Sequence, residues 1–304
     1  MCGIYGVLSY KDKLRDVNHL VDLLGEESAE RGTDATGVAY VNSGMIKIHK
    51  QAISAYKFNP NVPKNAKAVI GHTRHSTQGD KNQNYNNHPW RENVRNCQFA
   101  LAHNGIISND DRLHDKYHFK SEIQTDSFVA VQLLKMQNKL DFDSIRFMAE
   151  EIEGSYSFNI LDNFNNIYLV KGDSPISIVH FKEHGVYVFA STDRILWRAL
   201  ISSELFSELR NGTFEEIILS EGDILKICND GTTEIAKFTY RDYIGMRWYD
   251  YMPQYGSAYR DEYLEDIKTV AAMYGGEPET IQELYELGYP LDEIEEMIYC
   301  GMEI

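Results

Sequence analysis

Short apolar or alternating runs recur through the first 240 residues, and their length and β-branched content predict strands. They fall at 3–8, 38–41, 45–49, 68–71, 99–103, 156–161, 167–170, 176–179, 186–190, 215–219 and 224–227. Between them a 3.6-residue period predicts helices over 17–28, 126–136, 142–151 and 193–203. Strands arriving two or three at a time before a helix imply antiparallel sheets covered by helices, not a repeated βαβ unit. The fold class expected is therefore α+β. Beyond residue 240 the pattern changes: 261–273 looks helical, Gly275 and Gly276 break it, and Pro278 sits where a first-turn proline belongs. Ile281, Leu284 and Tyr285 mark one face of that next helix. Gly288, Tyr289 and Pro290 end it, and Leu291, Ile294 and Ile298 mark a last short one.

Charge sharpens the boundary. The chain carries a formal net charge of −16 over 304 residues. Residues 241–304 hold 15 acidic and 4 basic residues and 10 of the 20 tyrosines. We therefore expect a domain over 1–240 and a small acidic, tyrosine-rich helical tail over 241–304. Such a balance repels phosphate backbones, so nucleic acid is not an expected partner. No apolar run reaches the length of a membrane span and no secretory leader is evident, so a cytoplasmic protein without membrane contact is expected. The four cysteines, Cys2, Cys97, Cys228 and Cys300, form no paired motif, which suits free thiols in a reducing compartment.

One cysteine stands out by position. If Met1 is removed, Cys2 carries a thiol of ordinary pKa about 8.5 beside an α-amine of about 7.7–8, so nucleophile and base share one residue. Alone, an early cysteine is more often a small buried hydrophobe. Further along, polar groups cluster where strands end: RGTDATGV (31–38), GHTRHSTQGD (71–80), NNHPW (86–90), LAHNGIISN (101–109) and, opening a helix, TDSFVAVQLL (125–134). Sites on rigid scaffolds usually lie at such places. Each residue also has a plain structural reading. Asn104-Gly105 suits a hairpin turn, Asp126 a helix cap, Arg74 a surface ion pair and Thr77 a turn. His72, His75, His88 and His103 have no thiolate or carboxylate at a zinc-site spacing, so no metal is expected.

Taken in order, Cys2-Gly3-Ile4, RGTDATG, GHTRHST, NNHP, HNG and TDS resemble the glutaminase domain of class II glutamine amidotransferases, in particular the glutaminase half of glucosamine-6-phosphate synthase. The resemblance spans roughly residues 2–230. It implies a four-layer αββα N-terminal-nucleophile hydrolase fold with two stacked antiparallel sheets. It implies that Cys2 attacks the side-chain amide of L-glutamine and that Asn104 and Gly105 form the oxyanion hole. Arg74 would hold the substrate carboxylate, Asp126 its ammonium, and Thr77 and His88 would line the pocket. Arg31 would fix the first strand. No cofactor is implied. His75 and Gln78 depart from the family pattern, where tryptophan and often histidine stand.

Ammonia in this family passes to a second site. Residues 241–304 contain neither an acceptor-type domain nor a glycine-rich phosphate loop, so a separate acceptor protein, or a homo-oligomer, is the expected partner. Two alternatives remain at this level. The chain could hydrolyse another γ-glutamyl or linear amide, or it could be a non-catalytic binding protein that keeps the fold.

Overall fold

The computed structural model describes residues 2–241 except Asn96 and, beyond them, residues 264, 265, 267, 268, 271, 272, 276–286 and 294. The chain divides into two compact units, Met1–Arg241 and Asp242–Ile304.

In the first unit, apolar strands assemble into two antiparallel sheets. The larger contains β1 (Gly3–Ser9), β2 (Ala35–Asn42), β3 (Met45–Gln51), β4 (Ala68–Arg74), β9 (Ser177–Phe181), β10 (Val186–Ala190) and β11 (Glu215–Glu216), in the order β11-β9-β10-β1-β4-β2-β3. The smaller contains β5 (Trp90–Val94), β6 (Cys97–Ile107), β7 (Gly154–Asp162), β8 (Ile167–Lys171), β12 (Asp223–Ile227) and β13 (Thr233–Lys237), in the order β13-β12-β8-β7-β6-β5. Strand alternation then sorts each sheet into two faces. Ile4 and Leu8 of β1, Ala68 and Ile70 of β4, and Ala100 and Ala102 of β6 share one apolar cluster between the sheets. The other face of β1, with Tyr5 and Val7, packs on α1 (Val17–Ser28) and α5 (Asp193–Ile201). The other face of β6 and β7, with Leu101 and Phe158, packs on α3 (Phe128–Gln137) and α4 (Phe142–Glu151). The result is a four-layer αββα sandwich with β1 at the centre of its sheet.

Several expected elements differ in extent. The strand over 215–219 shrinks to Glu215–Glu216. β5, β13, α2 (Asp110–Tyr117) and α6 (Phe206–Asn211) were not apparent from apolar pattern. The reason is compositional: β13 is a largely exposed edge strand, and α2 buries only Leu113. Asn104-Gly105 is not a turn, because both residues lie inside β6 and pair with Ser157 and Tyr156 of β7.

In the second unit a helix spans Pro278–Glu286, with the proline opening it. Leu264, Ile267, Ala271, Ile281 and Ile294 form an apolar cluster there. The expected helix end at Gly288–Pro290, and Leu291 and Ile298, lie outside the described residues.

One contact near the sheet centre sets a stability test. A Cβ on Gly71 would lie 2.2 Å from ring atoms of Tyr5, its partner across β1 and β4. The Tyr5 hydroxyl is buried without a hydrogen-bond partner. Gly71→Ala is therefore expected to cost about 1–3 kcal/mol through overpacking. Tyr5→Phe, which removes an unsatisfied buried hydroxyl, is expected to be neutral or stabilising by up to about 1 kcal/mol. Urea unfolding of the two variants checks both.

Candidate active site

Strand parity brings the chemistry to one end of the sandwich. Cys2 precedes β1 in phase with Ile4 and Leu8, Arg74 ends β4 in phase with Ala68 and Ile70, and Asn104 follows Ala100 and Ala102 on β6. All three positions belong to the faces that look between the sheets. Because Gly3 pairs with Thr73, Cys2 and Arg74 stand at the same end of neighbouring strands.

Cys2 is half-buried and held at both ends of its residue. Its carbonyl accepts a 2.7 Å hydrogen bond from Arg31 Nε, and its Sγ donates to the His75 carbonyl at 3.5 Å. Burial pushes the thiol above its ordinary value, against the His75 contact and the nearby Arg74 charge. Two residues on, β1 is anchored too, with Ile4 N–H donating to Ser191 Oγ at 2.8 Å.

Arg31 opens a segment that wraps the end of β4. A Cβ on Gly32 would lie 2.4 Å from the Arg74 carbonyl carbon, so only glycine lets the chain pass there. Asp34 N–H then donates to the Arg74 carbonyl at 2.9 Å. The Asp34 carboxylate accepts from Ser76 N–H at 2.8 Å and from Lys81 Nζ at 2.6 Å, which ties down the loop after β4. Burial pushes the Asp34 pKa up, but those bonds outweigh it and hold the group below its ordinary range.

Arg74 is only 2% exposed and has no carboxylate in ion-pair range among the described residues. Instead Nη1 donates to Asn87 Oδ1 at 2.6 Å, and Nη2 donates to the carbonyls of Gln78 and, at 3.2 Å, Gly79. Burial lowers the guanidinium pKa, while Cys2 and Asp126 act to raise it. Both bidentate faces of a guanidinium include Nη2. A carboxylate held in that way therefore competes with the loop carbonyls for Nη2.

Asn104 and Gly105 place an amide and a backbone N–H side by side on β6. Asn104 is 1% exposed and its Nδ2 has no hydrogen-bond partner. Gly105 has φ +135°, and a Cβ there would lie 2.0 Å from the Ser155 carbonyl oxygen, so the position demands glycine. Opposite it, Tyr156 gives its N–H to Asp173 Oδ1 at 2.8 Å, and its carbonyl accepts from Gly172 N–H at 3.1 Å. The Gly105 N–H thus stays outside that strand pair.

Asp126 does not cap α3. Its Oδ2 accepts from Ile107 N–H at 2.7 Å and its Oδ1 from Ser127 Oγ at 3.0 Å. Ser127 Oγ in turn accepts from His103 Nδ1 at 2.7 Å, which places the His103 proton on Nδ1. Burial pushes the His103 pKa down and Asp126 pulls it the other way. The pair Asp126–Ser127 therefore braces β6 on both sides of Asn104-Gly105.

The remaining expected residues sit differently. Thr77 is exposed on the loop. His88 is buried, edge-on to His72 and to Trp90 with ring centroids 4.0 Å from each, and its Nδ1 lies 2.6 Å from His72 Nε2. His72 Nε2 donates to the His103 carbonyl at 2.9 Å, linking the sheets, so His88 Nδ1 accepts. Burial lowers the pKa of both rings. Asn86 and Asn87, not His88, carry the NNHP stretch to the site. Asn86 joins the Asp80 carbonyl to Gln124, and Asn87 holds Arg74. Asp34, Asn87, Ser127 and Asp173 were not singled out from sequence. The first three lie within or beside the quoted motifs, and that adjacency was the available signal. Among the described residues no group of three or more His, Cys, Asp or Glu is placed to hold a metal. No helix there is long and apolar enough to cross a membrane.

Solved structures with this architecture include glutamine phosphoribosylpyrophosphate amidotransferase from B. subtilis, with TM-score 0.60 and 20% identity over 79% of this chain and 50% of that one. An enzyme described as the allosteric regulatory enzyme of purine biosynthesis matches with TM-score 0.63 and 19% identity, covering 79% of this chain and 49% of that one. The fold is thus that of the N-terminal-nucleophile amidotransferases. Among curated proteins, a glutamine–fructose-6-phosphate aminotransferase of Geobacillus kaustophilus is 31% identical over 253 residues, 79% of this chain and 39% of the relative. The enzyme of the same name from Staphylococcus epidermidis is 33% identical over 191 residues, 59% of this chain and 30% of the relative. No family model matches the chain. The chain belongs to the class II glutamine amidotransferase family. It spans between 30% and 39% of the length of these curated relatives.

The hydrogen-bond pattern separates scaffold from chemistry. Asn104→Ala removes an amide that makes no bond to the protein, and is expected to change stability by less than about 1 kcal/mol. Asp126→Ala orphans the Ile107 N–H and is expected to cost about 1–3 kcal/mol. Thermal and urea unfolding of both variants measure the contrast.

Proposed function

We propose that the chain is a glutaminase that hydrolyses L-glutamine to glutamate and ammonia through a thioester on Cys2. The observation that carries this is the buried Asn104 Nδ2 with no partner, next to a positive-φ glycine whose N–H is turned away from β7. Buried donors are normally satisfied, and an amide kept unsatisfied on the face shared with Cys2 suits an oxyanion that exists only during reaction. Family membership supports the same reading.

In this scheme Met1 is removed and the α-amine of Cys2 takes the thiol proton. The sulfur attacks the side-chain amide carbon of glutamine, and the oxyanion forms against Asn104 Nδ2 and Gly105 N–H. The C–N bond then breaks, the proton passes from the amine to the leaving group, and ammonia departs. Water adds to the thioester, and the C–S bond breaks to give glutamate and restore the thiol. Arg74 meets the α-carboxylate after exchanging its loop carbonyls, and Asp126 faces the α-ammonium while keeping its bond to Ile107 N–H. Arg31 fixes the Cys2 backbone during both additions. The ammonia goes on to an acceptor, a reading supported by the glutamine–fructose-6-phosphate aminotransferases that this chain is similar to.

Mass spectrometry combined with ammonia release from glutamine tests the scheme. The active protein is expected to lack Met1, and Cys2→Ala to lose activity altogether. Asn104→Ala is expected to lower kcat about 10²–10³-fold with little change in KM. A retained Met1 in fully active protein, or turnover by Cys2→Ala, overturns the mechanism.

A further inference from the structure

Lys50 has no part in the scheme above, yet its ammonium is built into the same corner. It lies on β3 across from Gly37 of β2, where a Cβ on the glycine would come within 2.7 Å of Lys50 Cβ. Its Nζ donates to the Asn87 carbonyl at 2.5 Å and to the Pro89 carbonyl at 3.1 Å, gripping the NNHP turn on both sides of His88. The Trp90 ring lies under it at 5.7 Å. Asn84 Nδ2 donates back to the Lys50 carbonyl at 2.8 Å, so strand and turn are tied in both directions. No carboxylate pairs with Lys50 among the described residues. The titratable groups facing it are Arg74 and His72 on β4 and His88 on the turn.

The turn that Lys50 grips is the one that aims Arg74. Asn87 Oδ1 accepts from Arg74 Nη1, and Asn87 Nδ2 donates to the Lys81 carbonyl at 2.9 Å and to Asn84 Oδ1 at 3.3 Å. One asparagine therefore receives Lys50 on its backbone and Arg74 on its side chain. We infer that Lys50 is a positioning residue for substrate binding, acting on Arg74 through Asn87, and that the carboxylate site loosens when the Lys50 ammonium loses its proton. This rests on the reading of Arg74 as the glutamine carboxylate ligand.

The protonation step falls in an accessible range. Burial, and then the Arg74 charge, push the Lys50 pKa down to about 7, while the two carbonyls it donates to favour the charged form. A neutral amine keeps at most two N–H donors and loses the charge assistance that shortens both bonds. The grip is therefore complete below that pKa and weakens as pH rises through it.

Binding, not turnover, is the direct readout. Full-length protein carrying Cys2→Ala is titrated with L-glutamine by calorimetry between pH 6 and 8. The dissociation constant is expected to rise by about fivefold or more as the competent, protonated form is depleted. Adding Lys50→Met should weaken binding about tenfold at pH 6 and remove the pH step. Lys50→Arg, charged throughout, should keep the tight value and show no step. Every other titratable group is unchanged in both variants. A step that survives in Lys50→Arg therefore overturns the inference, as does Lys50→Met binding within twofold of the parent. If Lys50→Met does not fold, the parent and Lys50→Arg series still decide. Failure of the parent to bind glutamine at any pH overturns the reading of the site, and this inference with it.

Discussion

A guanidinium buried at the end of a central strand, with no carboxylate in ion-pair range among the described residues, is the constraint around which this domain is arranged. Removing such a charge from water is costly unless dipoles replace the hydration it loses. The chain supplies them from three directions: the Asn87 amide and the carbonyls of Gln78 and Gly79. Each has to be placed in turn, and that need explains much of the local sequence. Asp34 fastens the loop that bears the carbonyls, Asn86 ties the turn to the segment before α3, and Lys50 grips the turn from β3. Gly32 lets the chain run close enough to β4 for Asp34 to reach.

The two sheets are also joined by more than apolar packing. Asn159 on β7 donates to the carbonyls of Tyr5 and Gly71 at 3.3 Å each, and His72 on β4 donates to the His103 carbonyl on β6. Apolar contacts between sheets are non-directional and tolerate sliding. A few buried hydrogen bonds fix the offset, and the offset determines whether residues of β1, β4 and β6 meet. The brace from Asp126 and Ser127 adds local precision, because it acts on His103 and Ile107 of β6, on either side of Asn104-Gly105.

What could be read from sequence follows the range of the interaction. Strands such as Gly3–Ser9 and Val186–Ala190 are buried throughout and almost wholly apolar, and they announce themselves. The hydrogen bond from Arg31 to Cys2, and the company of Cys2, Arg74 and Asn104 on one pair of faces, are consistent with motif order and strand parity. Asn104-Gly105 shows where local chemistry misleads: the dipeptide favours a turn, but pairing with Ser157 and Tyr156 carries β6 straight through it. His88 shows the same limit in another form. Its neighbours in the motif face the site while its own ring packs inward against His72 and Trp90, and a turn has no period from which to read direction. Lys50 acts on Asn87, distant in the chain, and nothing near it in sequence points there.

The loop carbonyls on Arg74 Nη2 give the resting site a tenant of its own. Any carboxylate that takes both hydrogen bonds is a competitor, and its measured affinity is its intrinsic affinity scaled by how often the tenant is out. That fraction is written in tethers remote from the contact: Ser76 and Lys81 on Asp34, and Gln78 on Asp110 at 3.2 Å. Substitutions along the loop can thus retune binding strength while every atom that touches the ligand stays the same.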